Sequence, residues 1–392
     1  APALRIAETG SDPETLDDGD RPGDKGRRIR HMTPSSWLAA LAVATAAGAL
    51  SAQAPAPPAD PNRRLLSIAN FRLEGGAVLP AAQVAYATFG ALNAAKDNAV
   101  LVASYYGADY HGYDFLIGPG KALDPARYYI VATEMFGNGY SSSPSNTPAP
   151  MSGPDFPAIA IRDNVEASRR VLEHLGVTHL RAVLGFSMGA EQAFQWAVSH
   201  PTFMDAIVPW CGTAKTYPHG IVRLESAIRA LTADPAFNGG RYTSPPTAGM
   251  AAWSTHWAAW VWSQEWWRRE LFKPQSATVE DALAARIARD SVRDPNNLIL
   301  HARTWQQHDV GDTPGFGGDH EKALASIRAR VLYMPCQTDL YFPIGDAEYE
   351  RQFLQDVSFV PIPSLWGHSA GGGGNPADAQ FTNDQIGRFL AR

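Results

Sequence analysis

Cysteine is almost missing from this chain, with Cys211 and Cys336 the only two in 392 residues. A single pair cannot staple a small disulfide-built fold, so stability has to come from an apolar core. Charge is also sparse: 18% of residues are Asp, Glu, Lys or Arg, and the formal net charge is −6. With an acidic balance, no basic patch and no nucleic-acid motif, nucleic acid is not expected as a partner. His-Glu-x-x-His does not occur, and His219, His256, His301, His308 and His320 show no ligand spacing. No metal and no cofactor are therefore expected. No internal repeat is visible.

What is present begins with an unusual N-terminus. Residues 1–31 are polar, charged and without apolar periodicity, which predicts disorder. An Ala, Leu and Val run from Trp37 to Leu50 follows the basic residues Lys25, Arg27, Arg28 and Arg30, and small residues close it at Ala49, Ser51, Ala52 and Ala54. That order resembles a secretory signal peptide over 32–54, and the run falls short of the ~20 residues of a membrane helix. The expectation is a periplasmic or secreted protein with no stable membrane insertion after signal removal, or a cytoplasmic one if 32–54 is an Ala-rich helix instead. The Pro/Ala-rich span 55–66 reads as a linker.

Downstream, short apolar runs alternate with helical patterns. Gln83–Phe89, Ala99–Tyr105, Tyr128–Glu134, Leu180–Gly185, Ala206–Trp210, Val331–Pro335 and Ser358–Ile362 are predicted strands. Ile161–Leu175, Ala190–Ser199 and Asp378–Leu390 are predicted helices. Strand–helix alternation implies an α/β fold with a mostly parallel central sheet covered on both faces. Residues 67–212 and 330–392 form this core, and 213–329, helical in pattern, is an inserted cap. Cys211 and Cys336 each follow a strand that would be its neighbour, so two buried thiols are expected, with one disulfide as the alternative in an oxidising compartment. Six of the 11 tryptophans fall between Trp253 and Trp267. That face must bury against the core, a substrate cleft or another subunit.

The chemistry centres on Gly185-Phe186-Ser187-Met188-Gly189, a turn between a strand and a helix. A serine on such a turn projects its Oγ from the top of a sheet, and the flanking glycines let strand and helix approach. A nucleophilic serine needs a base, and the base needs an orienting carboxylate. Asp339 follows the strand Val331–Pro335, and His368 lies in a glycine-flanked loop after the next strand. The order Ser, acid, His, with the last two on loops after late strands, is that of the α/β-hydrolase fold. The expected catalytic set is Ser187, Asp339 and His368. The backbone N–H groups of Met188 and Tyr105 are the expected oxyanion hole, with Tyr106 and Gly107 following in the same loop.

Several stretches in order resemble the homoserine O-acetyltransferase family: Ile117-Gly-Pro-Gly-Lys-Ala-Leu-Asp-Pro, Gly137-Asn-Gly-Tyr-Ser-Ser-Ser-Pro, Phe156-Pro-Ala-Ile-Ala-Ile-Arg-Asp-Asn-Val and the Ser187 elbow itself. Ala233-Asp-Pro-Ala-Phe-Asn-Gly-Gly-Arg-Tyr and the Asp339 segment complete the resemblance, which spans roughly residues 70–390. It implies the same triad, a helical cap and a homodimer built through cap helices. Two departures stand out. The family's aspartate after the histidine, which anchors the substrate amine, is Ser369 here. Its carboxylate-binding arginine falls on Ile228, with Arg229 one position away. The tryptophans and these losses point to an ester with an apolar or aromatic part, with Tyr106, Trp257, Trp260, Arg229 and Ser369 as expected substrate contacts. Acyl transfer to an alcohol or amine is the alternative, and a non-catalytic binding protein the second. An exported enzyme would not meet acetyl-CoA.

Overall fold

In the computed structural model, which describes residues 60–392, the chain after Asp60 forms one eight-stranded sheet. The expectations for residues 1–31 and for the signal segment 32–54 lie outside the described residues. The strands are β1 (Arg64–Arg72), β2 (Val78–Phe89), β3 (Ala99–Ala103), β4 (Tyr129–Thr133), β5 (Ala182–Phe186), β6 (Ala206–Trp210), β7 (Arg330–Tyr333) and β8 (Val357–Phe359). They lie in the order β1-β2-β4-β3-β5-β6-β7-β8, antiparallel through β1, β2 and β4 and parallel from β4 to β8.

Every residue of β3, β5 and β6 is buried. Strands covered on both faces need apolar side chains at every position rather than alternating ones, which is why Ala-Val-Leu-Val-Ala reads as a continuous run. The pleat sends Val100 and Val102 into one core cluster and Leu101 into the other, so each strand feeds both layers. Helices α1 (Ile161–His174) and α2 (Met188–Ser199) follow β4 and β5.

Between β6 and β7 run α3 (Pro218–Thr232), α4 (Thr247–Val261), α5 (Gln264–Arg268), α6 (Val279–Asp290), α7 (Pro295–Gln306) and α8 (His320–Ala325). After β7 come α9 (Ile344–Glu350) and α10 (Pro376–Leu390). The insertion contains no named strand, only an isolated bridge between Lys215 and Asp309. Its aromatic and aliphatic residues build a third core cluster that reaches Met188 below and Trp253, Trp257 and Trp305 above. The tail of the expected cap differs: Val310, Ala323, Leu324 and Ile327 join the sheet's own core.

Two other boundaries moved. β1 starts at Arg64, inside the span expected to be linker, and is held by a register running from Arg64↔Tyr86 to Arg72↔Val78. Only Phe71 of its nine residues is buried, so it carries no apolar signature. β8 ends at Phe359 because Pro335, across from it, has no N–H to give the Val360 carbonyl, yet pairing resumes where the Ile362 amide donates to Pro335. Cys211 and Cys336 are buried as free thiols. Among the described residues, no helix is long and apolar enough to cross a membrane.

Candidate active site

β5 delivers Ser187 into a backbone conformation of φ 58° and ψ −124°, outside the regions an L-residue prefers. Holding a non-glycine residue there costs on the order of 1–3 kcal/mol. The surroundings impose it. The Ser187 amide donates to the Trp210 carbonyl at 3.0 Å. The Phe186 amide donates to the buried Tyr113 hydroxyl at 3.0 Å, and that hydroxyl donates to the Ala103 carbonyl at 2.6 Å. A Cβ on Gly185 would sit inside the Gly189 carbonyl, so this turn tolerates no side chain there.

The elbow brings three side chains into one hydrogen-bonded line. Ser187 Oγ lies 2.9 Å from His368 Nε2, and His368 Nδ1 lies 2.7 Å from Asp339 Oδ2. All three residues are at most 6% exposed. Asp339 is fixed in turn, because its Oδ1 accepts from the Tyr341 amide at 2.7 Å and the Phe342 amide at 3.3 Å. The His368 ring is clamped between Phe186, with centroids 4.7 Å apart, and Tyr341, at 4.3 Å. Such an arrangement can deprotonate a hydroxyl and return the proton to a leaving group. The Met188 amide opens α2, and Tyr105 lies two residues beyond the end of β3, the strand beside β5. Both amides therefore sit at the same end of the sheet as Ser187.

The histidine loop is pressed against the insertion. Gly367 has φ +59°, and a Cβ on it would strike the backbone from Val261 to Ser263. Ser263 Oγ donates to the Leu365 carbonyl at 2.6 Å. Over the line of side chains lies a cavity of about 260 Å³, bounded by Tyr105, Tyr106, Trp253, Trp257, Trp262, Trp305 and Tyr341, with Ser187, His368 and Ser369 in its floor. Arg286, Arg289, Asp290 and Arg293 complete its wall.

Two residues expected at the substrate are elsewhere. Arg229 points to solvent, its side chain 78% exposed and its Nε 3.0 Å from Glu225. One residue along a helix turns about 100°, so the neighbour of an inward position faces away. Ile228 does face inward, buried in the insertion's core. Trp260 packs against His219 and His256, outside the cavity. The tryptophan cluster thus divides: Trp253, Trp257 and Trp262 face the cavity, whereas Trp266 stacks behind Trp262 with centroids 4.5 Å apart. Among the described residues no group of His, Cys, Asp or Glu could hold a metal ion.

Sequence reasoning missed two groups around this cavity. Arg223 is 2% exposed and lies over the rings of Tyr341, Trp305 and Trp257 at 4.5, 4.7 and 5.2 Å. Burial pulls its guanidinium down to about 10, and burial drives the carboxyl of nearby Glu191 well up. The second is His301. Its Nδ1 accepts from the Gly107 amide at 2.9 Å and its Nε2 donates to the Phe136 carbonyl at 2.9 Å. One neutral ring therefore ties the loop after β3 to the insertion. Nothing local marked it, since a single histidine in mid-helix has no pattern.

Burial holds His301 at about 4, against 6.5 for a free imidazole. Only the unfolded chain takes up this proton between those values, so the ring's contribution to stability is full above pH 6.5 and is lost as the pH falls toward 4. His301→Leu is expected to cost about 1–3 kcal/mol at neutral pH through the unpaired Gly107 and Phe136 groups. It should also lower kcat/KM by roughly 10–100-fold by loosening the Tyr105–Gly107 loop. Its thermal midpoint should fall less steeply than the wild type's between pH 6.5 and 4. Parallel slopes over that window would contradict the assignment.

Comparison with known proteins agrees with this geometry. A family model described as the alpha/beta hydrolase fold matches residues 107–370. An ethyl acetate hydrolase of Pseudomonas veronii is 36% identical over 336 residues, covering 83% of this chain and 94% of that protein. A homoserine O-acetyltransferase of Trichormus variabilis is 32% identical, covering 76% of this chain and 87% of that one. The solved structure of the acetyl esterase MekB superposes with a TM-score of 0.82 at 34% identity, covering 84% of this chain and 97% of that chain.

Proposed function

The chain belongs to the α/β-hydrolase fold family, in its homoserine O-acetyltransferase-like group, and from that premise we propose that it is a serine esterase working through an acyl-enzyme on Ser187. Ser187 Oγ attacks the ester carbonyl carbon as His368 Nε2 takes its proton. The Met188 and Tyr105 amides hold the oxyanion, and Asp339 keeps the proton on Nδ1. The carbonyl–alkoxide bond then breaks, and His368 returns the proton to the departing alcohol. A water, deprotonated by the same imidazole, adds to the acyl carbon and releases the acid and Ser187.

The observation that carries this reading is the Ser187–His368–Asp339 line, buried beneath an aromatic cavity of about 260 Å³. The cavity volume and walls suit a small acyl group with an apolar or aromatic partner. Hydrolysis is favoured over acyl transfer because the two positions that would hold homoserine's charges are Ser369 and the core residue Ile228. The names of the relatives, ethyl acetate hydrolase and acetyl esterase, support an acetyl ester as substrate. Export through residues 32–54 and pairing through cap helices belong to the same reading. Sequencing the N-terminus of the exported protein tests the first: a start upstream of Trp37 excludes cleavage.

The deciding experiment offers acetyl, butyryl and benzoyl esters with and without homoserine and coenzyme A. Hydrolysis unaffected by either additive is expected. Transfer to homoserine faster than hydrolysis would assign the protein to the acyltransferases instead.

A further inference from the structure

One wall of the catalytic cavity is cationic, and the chemistry above makes no use of it. Arg286, Arg289 and Asp290 lie on the last turns of α6, and Arg293 lies in the bend before α7. These four side chains line the same cavity as Ser187 and His368. Arg286 is held inside, its side chain 11% exposed, with its guanidinium 5.6 Å from the centre of the Trp262 ring. Arg293 rests against Gly107, in the loop that carries Tyr105, so closely that a Cβ on Gly107 would collide with it. Arg293 is 37% and Arg289 59% exposed, grading from the interior to the mouth.

Among the described residues, Asp290 is the one carboxylate lining this cavity. It accepts from Arg289 Nε at 3.2 Å, while the Nε atoms of Arg286 and Arg293 stand 3.5 and 3.9 Å from it. Each guanidinium has five donors and a carboxylate only about four lone-pair sites, so one aspartate leaves donors and positive charge in excess. Arg286 Nε is buried without a hydrogen-bond partner. Burial also pulls the Arg286 guanidinium below its ordinary value. A buried guanidinium donor without a hydrogen-bond partner costs stability, and an anion set among these three arginines would offset it.

We propose that this wall is a carboxylate subsite, so that the preferred substrates are esters bearing a carboxylate on the part that projects from Ser187 toward Arg286 and Arg293. The proposal rests on the esterase reading of the same site. The acyl group occupies the aromatic floor, and the distal carboxylate meets Arg286 and Arg293, with Arg289 at the rim. Planar guanidinium forks suit a carboxylate in geometry as well as charge. Ser187, the acyl transfer and the returning water are unchanged, so the subsite alters binding and not the balance of the reaction.

The test compares 4-acetoxybenzoate with 4-acetoxybenzamide, two acetyl esters of matched shape that differ in one charge. The wild-type chain is expected to show kcat/KM at least tenfold higher for the anion, expressed mainly in KM. Arg293→Gln should lower that preference at least tenfold. Arg286→Gln should do the same, and Arg286→Lys should retain part of it. The wild-type preference should shrink as salt rises from about 0.05 to about 0.5 M. Equal kcat/KM for the two esters in the wild type overturns the proposal. So does a preference that survives both glutamine variants. Failure of the underlying reading is distinguishable: neither ester would then release its phenol faster with the wild type than with Ser187→Ala.

Discussion

Ser187→Ala is expected to lower kcat for ester hydrolysis by roughly 10⁴–10⁶-fold, leaving only the rate that the oxyanion donors and substrate binding supply. The size follows from the geometry. Among the described residues, Ser187 Oγ is the one hydroxyl within hydrogen-bond distance of His368 Nε2, and removing it should abolish the acyl-enzyme rather than slow it. The pre-steady-state burst with an activated acetyl ester should vanish with the steady-state rate. Binding should survive, because Trp253, Trp257, Trp305 and Tyr341 are untouched. The variant should also fold, since a smaller side chain at the elbow leaves the Ser187 amide bonded to Trp210. Residual kcat within 100-fold of wild type would mean that the reaction does not pass through this serine.

Asp339→Asn should cost about 10⁴-fold in kcat with little change in KM. The structure supplies a specific reason. Asp339 Oδ1 already accepts two backbone amides, from Tyr341 and Phe342. An asparagine can keep both bonds only by placing its carbonyl oxygen there, which turns its NH₂ toward His368 Nδ1. That nitrogen must then accept, so the ring proton moves to Nε2, the atom that has to take the proton from Ser187. The histidine stays in place but in the wrong tautomer. Steady-state kinetics on the ester panel measures the loss, and a drop of less than tenfold would show that the carboxylate does not set the tautomer.

Much of this arrangement is legible in the linear chain, for physical reasons. β3, β5 and β6 are buried on both faces, so their apolar runs are continuous and easily read. Ser187, Asp339 and His368 each sit just past a strand of the parallel sheet, and such a sheet gathers its carboxyl ends at one edge. β1 was not legible because pairing with β2, rather than burial, makes it a strand. Arg229 and Trp260 show the limit inside the insertion. Helical phase determines which side chains face the cavity, and an error of one residue exchanges the inward Ile228 for the outward Arg229. His301 lay beyond reach altogether: its two partners are 194 and 165 positions away in the chain.

The contact between Gly367 and the Val261–Ser263 backbone has a mechanical consequence. His368 does not stand on the core alone, because its loop is wedged beneath the turn joining α4 to α5 and latched by Ser263. Lifting that turn to admit substrate would release the imidazole from register with Ser187. In this arrangement the insertion is a keystone for the histidine loop rather than a free-standing lid.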